Sequence, residues 1–324
     1  MVATQISLPD PEPTPEFNQR CTDLLRHLEA GDLPYEDAIA HAHSLHNEAV
    51  TSRRPADEAR AQHVLGYLQS FRGNISSSIR HYEQARSLYT RLGNKRRLAV
   101  IDLNQGENFR TKGDFSRARE LYHSAYQTAR ELGVLLVQTV AITNEGQMLL
   151  TLGKHREALA SLQEASELSR QLDSADHNVQ PLICEIHHVL ALIYKALDRL
   201  DDAWHEARTA LRMAQDIRHP QQIGLAQRAA GEVLLALDKP PQGDFSTNPD
   251  EYFQVATDIF REMGAEGEMA RTMFSHSRSL ARRGKRMAAA RRLQQAMIIF
   301  TKLGMVNDAA RAAELQLEIL RPKA

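Results

Sequence analysis

Fourteen histidines and two cysteines carry the most chemical capacity in this 324-residue chain. The segment HAHSLH places His41, His43 and His46 close together, a residue type and density that a metal site would use. On a helix His43 and His46 share a face, but His41 lies about 200° round from His43, so three ligands cannot converge from that segment. A structural role is expected for the trio. His187 and His188 are adjacent and point about 100° apart, which makes them no better a pair. Cys21 and Cys184 form no CxxC and no Cys/His spacing, and two cysteines are too few for a disulfide framework. They fit a reducing cytoplasm. No glycine cluster forms a phosphate loop, no GxSxG occurs, and no serine or cysteine sits in a nucleophile's sequence context. The carboxylates are abundant but scattered. The chain is therefore expected to be no enzyme, with no metal and no cofactor.

What remains is the scaffold that would position such groups. Basic and acidic residues nearly cancel, 40 against 41, so whole-chain charge favours neither nucleic acid nor a membrane. The N-terminal MVATQISLPDPEPTPEF lacks a basic start followed by an apolar core, and no run of eighteen uncharged apolar residues occurs. Secretion and membrane spanning are not expected. Aromatics make up only 6%, and Ala, Leu, Arg, Glu and Gln dominate, which is a helix former's composition.

The glycines organise those helices. Gly66, Gly106 and Gly146 are spaced 40 apart, as are Gly73, Gly113 and Gly153, Gly93 and Gly133, and Ala85, Ala125 and Ala165. The frame resumes after short slips at Ala191, Ala210 and Gly231, and again at Ser277, Gly284, Ala296 and Gly304. Each unit reads as two helices. Residues 96 to 112, the turn Gly113-Asp114 and residues 115 to 131 are one example, with Gly133 past the end as a left-handed cap. Such helices are too short and too weakly apolar to stand alone, so their neighbours must cover them. Gly106 and Gly146 are expected where paired helices approach closely. The spacing predicts an all-α solenoid with four segments: a disordered proline-rich stretch over 1–15, a degenerate helix pair over 16–54, six repeats over 55–305 and a capping helix over 306–324.

These residues resemble the tetratricopeptide repeats. That motif has a small residue midway along the first helix, a large one three positions on, glycine at the turn, then alanine, a large residue and alanine along the second helix. The best match is Gly106, Phe109, Gly113, Ala118, Tyr122 and Ala125; a second is Gly146, Leu149, Gly153, Ala158, Leu162 and Ala165. The period of 40 rather than 34 looks like the variant found in kinesin light chains, peptide-sensing bacterial regulators and the sensor arms of large signalling ATPases. The resemblance implies a right-handed αα-superhelix whose first helices line a concave groove.

Carried onto this sequence, the resemblance marks Glu107, Arg110, Gln147, Glu185, His188, Lys195, Arg228, Glu232, Arg271, Arg278 and Arg282 as groove positions. Asn104 and Asn144, two residues before their glycines, could bond a bound peptide's backbone or a neighbouring helix. The lysine of the family's carboxylate clamp is replaced in every unit, by His63, Leu103, Thr143, His188, Arg228 and Phe274, so chaperone tails are not expected as ligands. From Met269 to Asn307 nine basic residues occur with no acidic one, directly after a run of seven acidic residues between Asp244 and Glu268. Either the acidic helix neutralises its basic neighbour, or Arg278 and Arg282 dock an acidic segment; interleaved aromatics, which nucleic acid would favour, are missing. The leading expectation is a cytoplasmic adaptor that holds a peptide or helical segment of a protein partner. The alternative is a ligand- or peptide-responsive regulator of a bacterial-type signalling or transcription system.

Overall fold

The computed structural model describes residues 12–176, 178–237 and 245–320. They form fifteen helices and no strand: α1 Pro15–Glu29, α2 Tyr35–Thr51, α3 Pro55–Arg72, α4 Ile75–Leu92, α5 Lys95–Lys112, α6 Phe115–Glu131, α7 Leu135–Thr151, α8 His155–Ser169, α9 Val179–Ala196, α10 Leu200–Ile217, α11 Pro220–Leu234, α12 Pro249–Glu262, α13 Glu266–Arg282, α14 Arg286–Leu303 and α15 Val306–Leu320. None of the described helices is long and apolar enough to cross a membrane. Consecutive helices pack antiparallel, so α3, α5, α7, α9, α11 and α13 run parallel as the first helices of six pairs, and α15 adds one more.

Within a pair the lock is a glycine against a large side chain. A Cβ on Gly106 would stand 2.5 Å from Cε1 of Tyr122, and one on Gly146 would stand 1.9 Å from Cδ2 of Leu162. The expected close approaches are therefore present, and the alanines flanking those large residues, Ala118, Ala125, Ala158 and Ala165, are fully buried. Asn94 and Asp114 cap the helices they precede by accepting from the N–H of Arg97 and Arg117.

The superhelix closes on itself, which the repeat pattern did not predict. Helix α13 reaches α3, and α15 reaches α5. Phe71 at the end of α3 packs into the cluster of Phe260, Met263 and Ala265, while Arg72 bonds Glu266 at 2.9 Å and Lys302 holds the other oxygen of that carboxylate at 2.7 Å. A Cβ on Gly73 would stand 3.1 Å from Cα of Gly267, so the turn of the first repeat touches the backbone of the sixth. The expected groove is thus the inside of a nearly closed ring rather than an open concave face.

At the N-terminus, the disorder expected over 1–15 falls mostly on 1–11, outside the described residues. Residues 12–15 are held in place: Thr14 donates its N–H to Asp57 at 2.7 Å, and Arg97 donates to Glu12 at 2.9 Å. Most of the insertion from Lys239 to Pro249 also lies outside the described residues.

Candidate ligand-binding channel

The ring's inner wall is built from α3, α5, α7, α9, α11 and α13, and its polar side chains fall into two sectors. In the first, each charge meets its opposite. Arg110 donates two hydrogen bonds to Glu107, at 2.7 and 2.5 Å, and the phenol of Tyr122 donates a third at 3.3 Å. Glu268 accepts from Arg228 and from Arg271, each at 2.6 Å, and Arg271 reaches on to Asp308 at 3.2 Å and to the Thr111 hydroxyl at 3.3 Å. Glu232 pairs with Lys195 and accepts from Ser275 at 2.7 Å. Burial alone would raise these carboxyls. Lys195 and the two hydrogen bonds outweigh it and hold Glu232 at about 2, and Arg228 with Arg271 holds Glu268 far below the usual carboxylate range. A cavity of about 200 Å³ runs between this sector and α3, bounded by Tyr67, Asn104, Glu107, Glu268 and Arg271 among others.

The second sector, on α7 and α9, is unsatisfied. Asn144 is half-buried and makes no side-chain hydrogen bond. Glu185 accepts one bond, from the Gln147 amide at 2.5 Å, and meets no cation. Burial pushes its carboxyl up to about 7; the Gln147 bond and Arg110 pull the other way, while Glu107 and Glu268 add to the rise. One turn on, His188 is buried with Nδ1 unpartnered, and burial and Arg228 hold its imidazole near 3, so it is neutral. On α13, Arg278 is half-buried and Arg282 exposed, and neither has a hydrogen bond or ion pair.

The structure thus brings together Asn104, Glu107, Arg110, Lys195, Arg228, Glu232 and Arg271, but as partners of one another or of adjacent helices. Asn104 bonds Nε2 of His63 at 3.0 Å, the neighbouring-helix option, whereas Asn144 has no such bond. Sequence reasoning did not single out Glu268, Asp308 or the isolation of Glu185. The one signal for Glu185 was a carboxylate at a register position that holds Val100, Val140 and Leu225 in other units.

The basic C-terminal stretch is largely neutralised in place. Asp250 pairs with Arg283 and Lys285, at 2.7 and 3.3 Å, Glu266 with Lys302, and Arg286 donates to the Ile319 carbonyl at 2.9 Å. Elsewhere His41 and His43 are exposed and His46 bonds Gln62 at 2.7 Å. Among the described residues no three His, Cys, Asp or Glu side chains are grouped to hold a metal. Both cysteines are buried and free.

No family model matches the chain, and no curated protein does. Solved structures do match in fold. A Rap protein complexed with Competence and Sporulation Factor aligns over 95% of this chain and 88% of its own, with a TM-score of 0.63 and 14% identity. The Rap conjugation gene regulator of plasmid pLS20, in complex with the Phr* peptide, aligns over 97% and 100%, with a TM-score of 0.59 and 13% identity. The apo quorum sensor NprR from B. thuringiensis aligns over 94% and 99%, at 0.52 and 9%. The chain has the all-α, tetratricopeptide-type solenoid fold of these helical-repeat proteins.

Proposed function

We propose that this chain is a non-enzymatic receptor and adaptor whose inner channel holds a peptide or an extended segment of a partner protein. The observation that carries the reading is the unsatisfied sector: on the inner wall Asn144 makes no side-chain hydrogen bond, the Glu185 carboxylate meets no cation, and Arg278 and Arg282 have no partner, whereas Glu107, Glu232 and Glu268 are paired. Buried polar groups without partners are costly, and a ligand that supplies the missing bonds recovers that cost. Arg278 and Arg282, four apart on one face and unpaired, suit an acidic group on the ligand. The scaffold is ordered by its own ion pairs before binding, so little affinity is spent on ordering the receptor. The two Rap structures named for their complexes with a signalling factor and a peptide support the same use of this fold. Buried free cysteines suit a cytoplasmic location.

Native mass spectrometry with random-sequence peptide pools tests this. The wild type should retain peptides, and Asn144→Ala with Gln147→Ala should lose at least tenfold of that retention. Equal retention by both proteins would sink the reading. The ring closure favours a second one, a ligand-responsive regulator, because α13 meets α3 through few groups: the Glu266 carboxylate, a small apolar contact at Phe71 and the approach of Gly73 to Gly267. Ligand filling the channel would shift the balance between closed and opened rings. Small-angle scattering that is unchanged by a retained peptide would count against that regulator.

A further inference from the structure

The outer wall carries an open site of its own. Between the second helices α4 and α6, with α5 as its floor, lies a groove of about 770 Å³, within the roughly 300–1,000 Å³ that small-molecule sites take. The repeat explains why it is open. Forty residues on from Arg86 stands Tyr126, which is half-buried and packs against the hydrophobic clusters of both the second and the third repeat. Arg86 instead pairs with the buried Asp102 of α5 at 3.2 Å, and Ser124 of α6 donates to the other carboxylate oxygen at 2.8 Å. That bridge joins the two walls across the floor.

The two sides of the bridge differ in chemistry. Gln105, one turn along α5, lines the groove, is only 4% exposed and makes no side-chain hydrogen bond. Its counterpart forty residues on, Glu145, faces Arg119 at 4.0 Å. One turn further, the Arg117 guanidinium lies 5.3 Å from the centre of the Phe109 ring, and the arginine is 65% exposed, which leaves a planar cation open to stacking. Glu83 and Glu120 line this same end without a cation partner. The other end belongs to α4, with the Ser87 hydroxyl and an exposed, unpaired Arg91. Helix α4 runs antiparallel to α5, as the contacts of Ser78 with Asn108 and of Arg86 with Asp102 fix. Gln105 is therefore level with Glu83, and Arg91 stands eight residues beyond, a rise of about 12 Å.

We propose that this groove binds an adenine nucleotide, with the base at Gln105 and the phosphates at Arg91 and Ser87. A glutamine amide offers one acceptor and one donor, which match the N6 amino group and N7 of adenine; guanine presents two acceptors on that edge. The base stacks on the layer formed by Phe109 and Arg117. Glu83 and Glu120 accept from the ribose hydroxyls, and the guanidinium of Arg91 takes the phosphate by charge-assisted hydrogen bonds. A plain polyanion suits the groove less well, because the two carboxylates repel it at the base end. The site lies on the outer wall and is independent of what the inner channel holds.

Isothermal titration calorimetry of the full chain with ADP, adenosine, GDP and inorganic pyrophosphate tests this. ADP should bind about tenfold more tightly than each of the other three. Arg91→Gln should bring ADP down to the affinity of adenosine and leave adenosine unchanged. Gln105→Met, of similar volume but without the amide, should erase the difference between ADP and GDP. Pyrophosphate binding as tightly as ADP would reduce the groove to an anion site and overturn the proposal. So would the absence of ADP binding, or an ADP affinity that neither variant alters. The four ligands are compared on the wild type, so the outcome does not depend on either variant folding, and none of these results bears on the channel.

Discussion

Two stretches of the same inner wall have solved the problem of burying polar groups in opposite ways. Around Glu268 every charge is met by a partner on its own or an adjacent helix, whereas around Glu185 the carboxylate has one amide and no cation. The first arrangement spends its polar groups on joining neighbouring helices of the wall. The second leaves hydrogen-bonding capacity that only something from outside the chain can use. A repeat protein can therefore be rigid in one sector and receptive in the next, with the same helix pair repeated in both.

The sharpest way to break the comparison is Glu268→Gln. The carboxylate serves two guanidiniums that are each less than a quarter exposed. Removing one partner from such a buried pair leaves charge uncompensated, at a cost of roughly 3 kcal/mol. Chemical denaturation should show that loss, whereas Glu185→Gln at pH 8 should show none. If Glu268→Gln melted like the wild type, the paired sector would not be what holds the neighbouring wall helices together.

A slightly smaller effect is expected from Gly106→Leu, which strikes the packing beneath the paired sector. The built Cβ already collides with the Tyr122 ring, so overpacking should cost about 1–3 kcal/mol. Thermal melting measures it. An unchanged melting temperature would put the helix pairing itself in question.

The two sectors should also respond oppositely to pH. Glu232 has its folded pKa lowered, from 4.5 to about 2, so its stabilisation is present above pH 4.5 and fades as pH falls toward 2. Glu185 has its folded pKa raised, from 4.5 to about 7, so the native state holds a proton the unfolded chain has lost, and stability declines as pH rises from 4.5 to 7. Five buried or half-buried histidines with lowered pKa values, His188 among them, add stability as pH rises through the same window, so Glu185 is read in the difference: the denaturation midpoint of Glu185→Gln should gain on that of the wild type from pH 4.5 to pH 7. Parallel slopes would mean that Glu185 is paired after all.

Much of this architecture was legible in the glycines. Gly106 and Gly146 fixed the period and the close contacts because only hydrogen fits beneath Tyr122 and Leu162. Ring closure was not legible: it depends on small rotations summed over five helix pairs, and the residues that seal it, Arg72, Gly73, Glu266 and Gly267, are far apart in sequence. For the same reason Arg110, Arg228 and Arg271 read as free groove cations until Glu107 and Glu268 were placed beside them. The acidic run before Met269 did signal the neutralisation now seen in Asp250 with Arg283 and Glu266 with Lys302. Its pairing geometry could only come from the fold.

The smallest expected effect sharpens the comparison most. Arg278 is on the same helix as Arg271, seven residues on, and the two have the same chemistry, yet Arg271 touches Glu268, Asp308 and Thr111 while Arg278 touches no acceptor. Arg278→Gln should therefore change stability by less than about 0.5 kcal/mol, as a side chain outside any network does. Its one electrostatic link is to Glu232, which Lys195 and Ser275 already hold. Arg271→Gln on the same helix, leaving Asp308 without its guanidinium, should be clearly destabilised in the same denaturation assay. Equal losses would place Arg278 inside the structural network and remove the cationic end of the receptive sector.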